Sequence, residues 1–316
     1  MLAILATLGT VIITQTAGLA GEARYEQTVR TLEQLEQSVI GRQPAAGEDP
    51  TAISPGFVSD MGRLPLVVAD GSSFTLAELW DSDLFDLTED LFFRPRLLEG
   101  LDEELEMFSG WRGPYVNLPI GSNDLRDGWG VGYQLEDETG SPVTAAGDSI
   151  GSIQSNGSGL GDVYDPLVAL EVVLVDTAEG IDRVTAGLPL DSLTVEYTLP
   201  SSHVNGDYGV VRLYGIENGE PVLLLQSEVF TGVPGTTTSV SVVFEDTLGT
   251  TLTSLSTVMG PKVLRAYQFD SATAPPITTS DPAADLTSRE KSVPLRFTLP
   301  SGGLNVLPTP LNLEGS

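Results

Sequence analysis

The chain has 316 residues, 41% of them hydrophobic, long enough for two domains or one domain with a large insertion. Its 15 Lys and Arg against 44 Asp and Glu give a formal charge of −29, which repels phosphate backbones, so no nucleic-acid partner is expected. The absence of cysteine excludes disulfide staples and thiol catalysis, and a single histidine, His203 in a turn-like "LPSSHVNGDYG", excludes a His-rich metal site.

The first stretch, "MLAILATLGTVIITQTAGLAG", carries no charged side chain. Its strongly apolar part, Met1 to Ile13, is short of the roughly 20 residues that span a bilayer. No basic segment precedes it, although the small residues around Ala17 and Ala20 imitate a signal-peptide cleavage site. In "GEARYEQTVRTLEQLEQSVIGRQP", Tyr25, Val29, Leu32, Leu35, Val39 and Ile40 form one apolar helical stripe. Glu26 and Arg30 have the favourable i,i+4 order, and Gly41 and Pro44 end the pattern. The spacing predicts one helix over residues 1–43, about 60 Å long, apolar all round at first and amphipathic later. Leu2, Ile4, Leu5, Leu8, Val11 and Ile12 are its candidate contact residues for a membrane and then for neighbouring copies. A tail anchor on a short stalk fits the same pattern.

Residues 44–56 are turn-rich. "SFTLAELWDSDLF" reads as a short helix capped by Ser72 or Ser73, with Leu76, Leu79 and Trp80 inward. Glu103, Glu104 and Glu106 have the spacing of an acidic helical surface. With no partner base, nucleophile or cleft in view, they do not point to glycoside hydrolysis.

Two Trp-Gly-aromatic clusters come next, in "GWRGPYVNLP" and "LRDGWGVGYQL". Gly-Pro and Asp-Gly form turns, and "VGYQLED" begins a strand with Tyr133 and Leu135 on one face. Trp111, Tyr115, Trp129 and Tyr133 offer large surfaces for burial against the helix root. The cluster therefore reads as a structural clasp; an exposed aromatic platform for sugars is the rival reading. Further on, "AAGDSIGSIQSNGSGLGDVYDP" holds the oxygen donors Ser152, Ser155, Asn156, Asp162 and Asp165 between glycine turns. Calcium accepts such ligands, and a polar surface loop fits the same composition. No other cofactor is expected.

The N-terminal stretch and the tryptophan loops together resemble type IV pilins and type II secretion pseudopilins. The first 41 residues look like the segment just after the early glutamate of the family's processed helix. The chain is read as lacking the first few residues of that pattern, since no basic leader or early glutamate is present and the first acid is Glu22. The major-pseudopilin pattern of Trp-x-Gly-Pro-Tyr and Asp-x-Trp-Gly-x-x-Tyr is matched by Trp111, Gly113, Pro114 and Tyr115, then by Asp127, Trp129, Gly130 and Tyr133. The upstream "GFVSDMGRLP" is similar to a segment of larger pilin-like proteins. The 152–157 run resembles the pseudopilin calcium loop, with Asn156 in the aspartate position and Gln154 in a glycine position.

Beyond Leu167 strand-like runs come in quick order, from "LVALEVVLVD" and "SLTVEYTLP" through "YGVVRLYGI" and "EPVLLLQSEVF" to "PKVLRAYQFD" and "VPLRFTLP". Asn218-Gly219 marks a hairpin turn. "LTVEYTLPSS" and "PLRFTLPSGG" echo one another and suggest equivalent strand ends in one sheet.

These readings predict an α+β fold: a long N-terminal helix (1–43) packed on a small antiparallel sheet in a pilin-like head (44–165), then a sandwich-like β-rich domain (166–316). The expected function is that of a non-enzymatic filament subunit, in a type IV pilus or a secretion pseudopilus. The resemblance implies copies of itself or related subunits, a prepilin peptidase and inner-membrane assembly machinery as partners. It also implies a bacterial inner-membrane location with a periplasmic head before assembly, and a surface filament or periplasmic pseudopilus afterwards. The alternative is a membrane-anchored or secreted β-rich binding protein or adhesin that does not polymerise.

Overall fold

A computed structural model describes residues 2–42, 54–71, 73–85, 92–98, 102–158, 166, 169–191, 193–198, 208–231, 236–245, 251–269, 290–291, 294–300 and 311–314. The chain is mostly β, with 46% strand and 17% helix, and this overturns the expected α+β class. Many small sheets replace the single small sheet on which one helix was expected to lie. Among the described residues no helix is long and apolar enough to cross a membrane.

The chain divides into two compact units that interleave in sequence: residues 1–42, 64–85 and 113–182 form the first, and residues 43–63, 86–112 and 183–316 the second. The first unit begins with the helix Leu2–Ile40, 39 residues and about 58 Å long. It stops where Gly41 takes a φ of 93°, a value a Cβ opposes. Leu32, Leu35 and Val39 of the expected stripe are buried. The unit also contains a three-stranded antiparallel sheet of Gln134–Glu136, Ser152–Ser155 and Leu170–Val173, and two short hairpins.

One of those hairpins replaces an expected helix start. Ser73–Thr75 pairs with Val68–Asp70, and only short 3-10 turns, Ala77–Leu79 and Ser82–Leu84, come after it. Leu76 and Leu79 are buried as the spacing required, and Trp80 is half-buried. Ser72 lies outside the described residues.

In the second unit the expected acidic helix is a hairpin of Arg94–Leu98 with Asp102–Ser109. Leu105 and Met107 are buried while Glu106 and Phe108 are exposed, a period of two that carboxylate density disguises. The side chains of Glu103 and Glu104 are outside the described residues.

The second unit is organised by a six-stranded antiparallel sheet whose central strands are Tyr208–Glu217 and Gly260–Phe269. Val211, Leu213, Leu264 and Ala266 face one core; Val210, Tyr214, Val263 and Tyr267 face the other. Burial on both faces explains why "VVRLYGI" reads as a continuous run rather than an alternation. The hairpin to Glu220–Gln226 turns at Asn218 (φ 51°) and Gly219 (φ 80°), as a two-residue primed turn requires. Thr194–Thr198 belongs to a separate three-stranded sheet with Thr237–Ser241 and Leu311–Glu314, whereas Leu295–Leu299 joins the large sheet. The two echoing segments are thus not in one sheet.

Lys262 lies in the large sheet with 2% exposure. Its Nζ donates to the Val258 carbonyl at 2.7 Å. Burial pulls its pKa down from 10.5 to about 8, with Glu217 opposing the shift. Between those two values the unfolded chain binds a proton that the folded chain does not, so this group makes stability rise with pH. Lys262→Met is expected to be more stable than the native chain at pH 7, by up to about 3 kcal/mol. The advantage should shrink across pH 8–10.5 in urea unfolding; a constant difference would show that packing, not ionisation, sets it.

Candidate functional site: the helix root and an aromatic cleft

In the first unit the helix is tied to two loops through hydroxyls. Thr28, fully buried, donates to the Arg24 carbonyl at 2.9 Å and accepts from the Gly128 amide at 2.8 Å. Ser38 offers its single proton to both the Gln34 carbonyl (2.7 Å) and the Tyr115 carbonyl (2.9 Å). At Gly128 a Cβ would collide with the Arg24 carbonyl, so glycine sets the approach of loop to helix. The Tyr115 segment is itself fixed by amides of Tyr115 and Val116 donating to the Leu79 carbonyl.

Asp127 organises the second loop. One carboxylate oxygen accepts from the amides of Trp129 (2.9 Å) and Val131 (2.8 Å). The other accepts from the buried Ser155 hydroxyl at 2.7 Å. With Gly130 at a φ of 80°, the chain reverses and Asp127 N reaches the Val131 carbonyl at 2.9 Å. Tyr133 and Leu35 line one apolar cavity of about 310 Å³ with Trp80, Leu135 and Ile153. Burial pushes the Tyr133 phenol up to about 12; the Thr31 hydroxyl opposes the shift from outside hydrogen-bond geometry, and Asp127 adds to it. The indole Nε1 of Trp129 and the Tyr133 hydroxyl are buried, with no hydrogen-bond partner among the described residues.

The eight residues expected to form one clasp are divided. Tyr115, Asp127, Trp129, Gly130 and Tyr133, with Gly113 and Pro114, belong to the first unit; Trp111 belongs to the second. There Trp111 meets Phe92 edge-on, with centroids 5.9 Å apart. The oxygen donors of the expected cation loop are engaged elsewhere: Ser152 donates to Glu136 (3.1 Å), Ser155 to Asp127, and the Asn156 amide to Gln134 (2.8 Å). Asp162, Asp165 and His203 lie outside the described residues. Among the described residues no group of three or more histidine and carboxylate side chains is placed to hold a metal. Leu2, Ile4, Leu5, Leu8, Val11 and Ile12 are described as helical backbone only.

The second unit contains a cleft of about 630 Å³ that no sequence motif announced. The short helix Phe57–Met61, inside the "GFVSDMGRLP" segment, brings Asp60 to its wall. Asp60 Oδ1 accepts from Arg112 Nη2 at 3.0 Å, and the Arg112 guanidinium lies 3.9 Å above the Phe93 ring. Phe93 stacks on Phe108 with centroids 5.8 Å apart, and Phe108 remains 53% exposed. The cleft thus offers aromatic faces beside a fixed guanidinium–carboxylate pair, with Glu106 and Arg296 also on its walls.

No protein-family model, no curated protein and no solved structure matches this chain.

Two variants separate contact from backbone strain at the helix root. Gly130→Ala meets no neighbouring atom and should cost only the left-handed penalty of about 1–2 kcal/mol. Gly128→Ala should cost more and speed amide exchange around Thr28; equal losses would show that the close approach is not what holds the helix. Tyr133 supplies a second check. Because its folded pKa is raised, its stabilisation is present below pH 10 and is lost as pH rises towards 12. Tyr133→Phe should remove that alkaline loss in unfolding curves, and an unchanged curve would place the shift elsewhere.

Proposed function

We propose that this chain is a structural subunit of a pilin-like filament, of the type IV pilus or type II secretion pseudopilus kind, assembling through its N-terminal helix. The observation that supports this reading is the division of labour along the Leu2–Ile40 helix. From Thr28 onward one face is buried and hydroxyl-tied to its own unit, while Leu19 is 66% exposed and Tyr25 also faces solvent. Residues 2–21 carry no charged side chain. Burying such a surface among like helices releases water from apolar area, and no residue of the chain need react. Copies of the chain or related subunits are the partners. Storage at a bacterial inner membrane, with a peptidase and assembly machinery, and later residence at the surface or in the periplasm belong to the same proposal.

A second reading, a β-rich binding protein that does not polymerise, is favoured by the exposed Phe108 and the Arg112–Asp60 pair of the second unit's cleft. Such a surface suits a sugar ring, which stacks on an aromatic face and hydrogen-bonds to fixed polar groups.

Electron microscopy separates the two. The full chain should form filaments at moderate ionic strength, where the acidic surfaces are screened, and a chain lacking residues 1–21 should not. Filaments formed equally without those residues would overturn the first reading. A monomeric full chain that retains glycans on an array, and loses them on Phe108→Ala, would replace it with the second.

A further inference from the structure

The two central strands of the large sheet carry the same five-residue pattern. Val210-Val211-Arg212-Leu213-Tyr214 runs antiparallel to Val263-Leu264-Arg265-Ala266-Tyr267. The register pairs Val210 with Tyr267, Arg212 with Arg265 and Tyr214 with Val263, so the pattern is centred on the arginine pair with a local two-fold relation. Residues of this parity share one face of the sheet, where Val210, Tyr214, Val263 and Tyr267 pack together. The two tyrosine hydroxyls meet at 2.7 Å, joining the two strands diagonally across the arginine row.

Like charges set opposite each other on adjacent strands repel. Here they are also withdrawn from water, since Arg212 is 1% exposed and Arg265 is buried. Among the described residues the partners of Arg212 are neutral. Its Nε donates to the Gln226 side-chain oxygen at 2.8 Å, and its guanidinium carbon stands 5.4 Å from the Tyr267 ring centroid. Among the described residues its buried Nη1 has no acceptor and Arg212 forms no ion pair. A buried guanidinium is retained where a negative charge compensates it, and neither an amide oxygen nor a ring carries one.

We propose that Arg212 binds a small monovalent anion, of halide or formate size, at its Nη1. The anion supplies the missing acceptor and the missing negative charge. Its small size is set by the burial of Arg212, Tyr214 and Tyr267, which shuts out phosphate esters and peptides. The chain's charge of −29 opposes anion capture at long range, but screening confines that effect to the surface, whereas the buried Arg212 guanidinium acts at contact. This site is independent of the filament reading and stands or falls without it.

The test is thermal unfolding of the full chain at constant ionic strength, exchanging gluconate for chloride or bromide. A saturable rise in Tm of about 3–5 °C is expected for the native chain. Arg212→Met, which keeps the length of the side chain without its charge, should show no anion-specific rise. No rise in the native chain, or an equal rise in the variant, overturns the proposal. Should the variant fail to fold, crystals of the native chain grown in bromide decide the matter. An anomalous peak within hydrogen-bond distance of Arg212 Nη1 supports the site, and its absence there overturns it.

Discussion

The tie between the N-terminal helix and the 127–131 turn depends on the Asp127 carboxylate. Three donors fix it: two amides from its own turn and one hydroxyl from the adjacent sheet strand. Hydrogen bonds to a buried charge contribute more than neutral ones, about 1.5–3 kcal/mol each. They set the position of Gly128, whose amide in turn finds Thr28 on the helix. Remove the charge and the loop loses its shape; lose the shape and the helix loses a hydrogen bond that water cannot replace, because Thr28 is buried. A single acid thus links sheet, loop and helix.

The second unit is held in another way. Its sheet is covered on both faces, and charged groups are carried into the cover: Arg212, Lys262, Arg265 and Arg96 are all buried. Arg96 is matched by Glu220 and Lys262 by a backbone carbonyl, whereas among the described residues Arg212 meets neutral groups. In a chain so poor in basic residues, placing four of them inside is a choice against surface pairing. The acidic exterior is therefore left with fewer surface counter-charges, and its self-repulsion is relieved by solution ions.

The sequence made much of this legible, unevenly. Leu193 and Val195 alternate as a one-sided strand does, and both are buried. Asn218-Gly219 turns where its residue types demand. Asp127 was marked by its place before Trp-Gly, but its partner Ser155 lies 28 residues away, a distance over which no local pattern informs. Glu103, Glu104 and Glu106 have the density of an acidic helical surface, while Leu105 and Met107 alternate as a strand requires. The Val-x-Arg-x-Tyr pair at 210 and 263 was present as a repeat, yet only strand register shows that its arginines face each other. Asp60 and Arg112 are 52 residues apart, and their cleft needed the fold to exist.

Charge and attachment are separated along the chain. The helix Leu2–Ile40 carries four glutamates and two arginines, so nearly all of the net −29 resides elsewhere. Its ion pair of Glu26 with Arg30 is exposed and contributes little in salt. The ties at Thr28 and Ser38 are neutral hydrogen bonds in buried surroundings, which ionic strength leaves almost unchanged. Salt can therefore weaken repulsion between acidic surfaces without loosening the helix from the unit that carries it. Any association led by the helix is thereby controlled at the surface of the protein and not at its root.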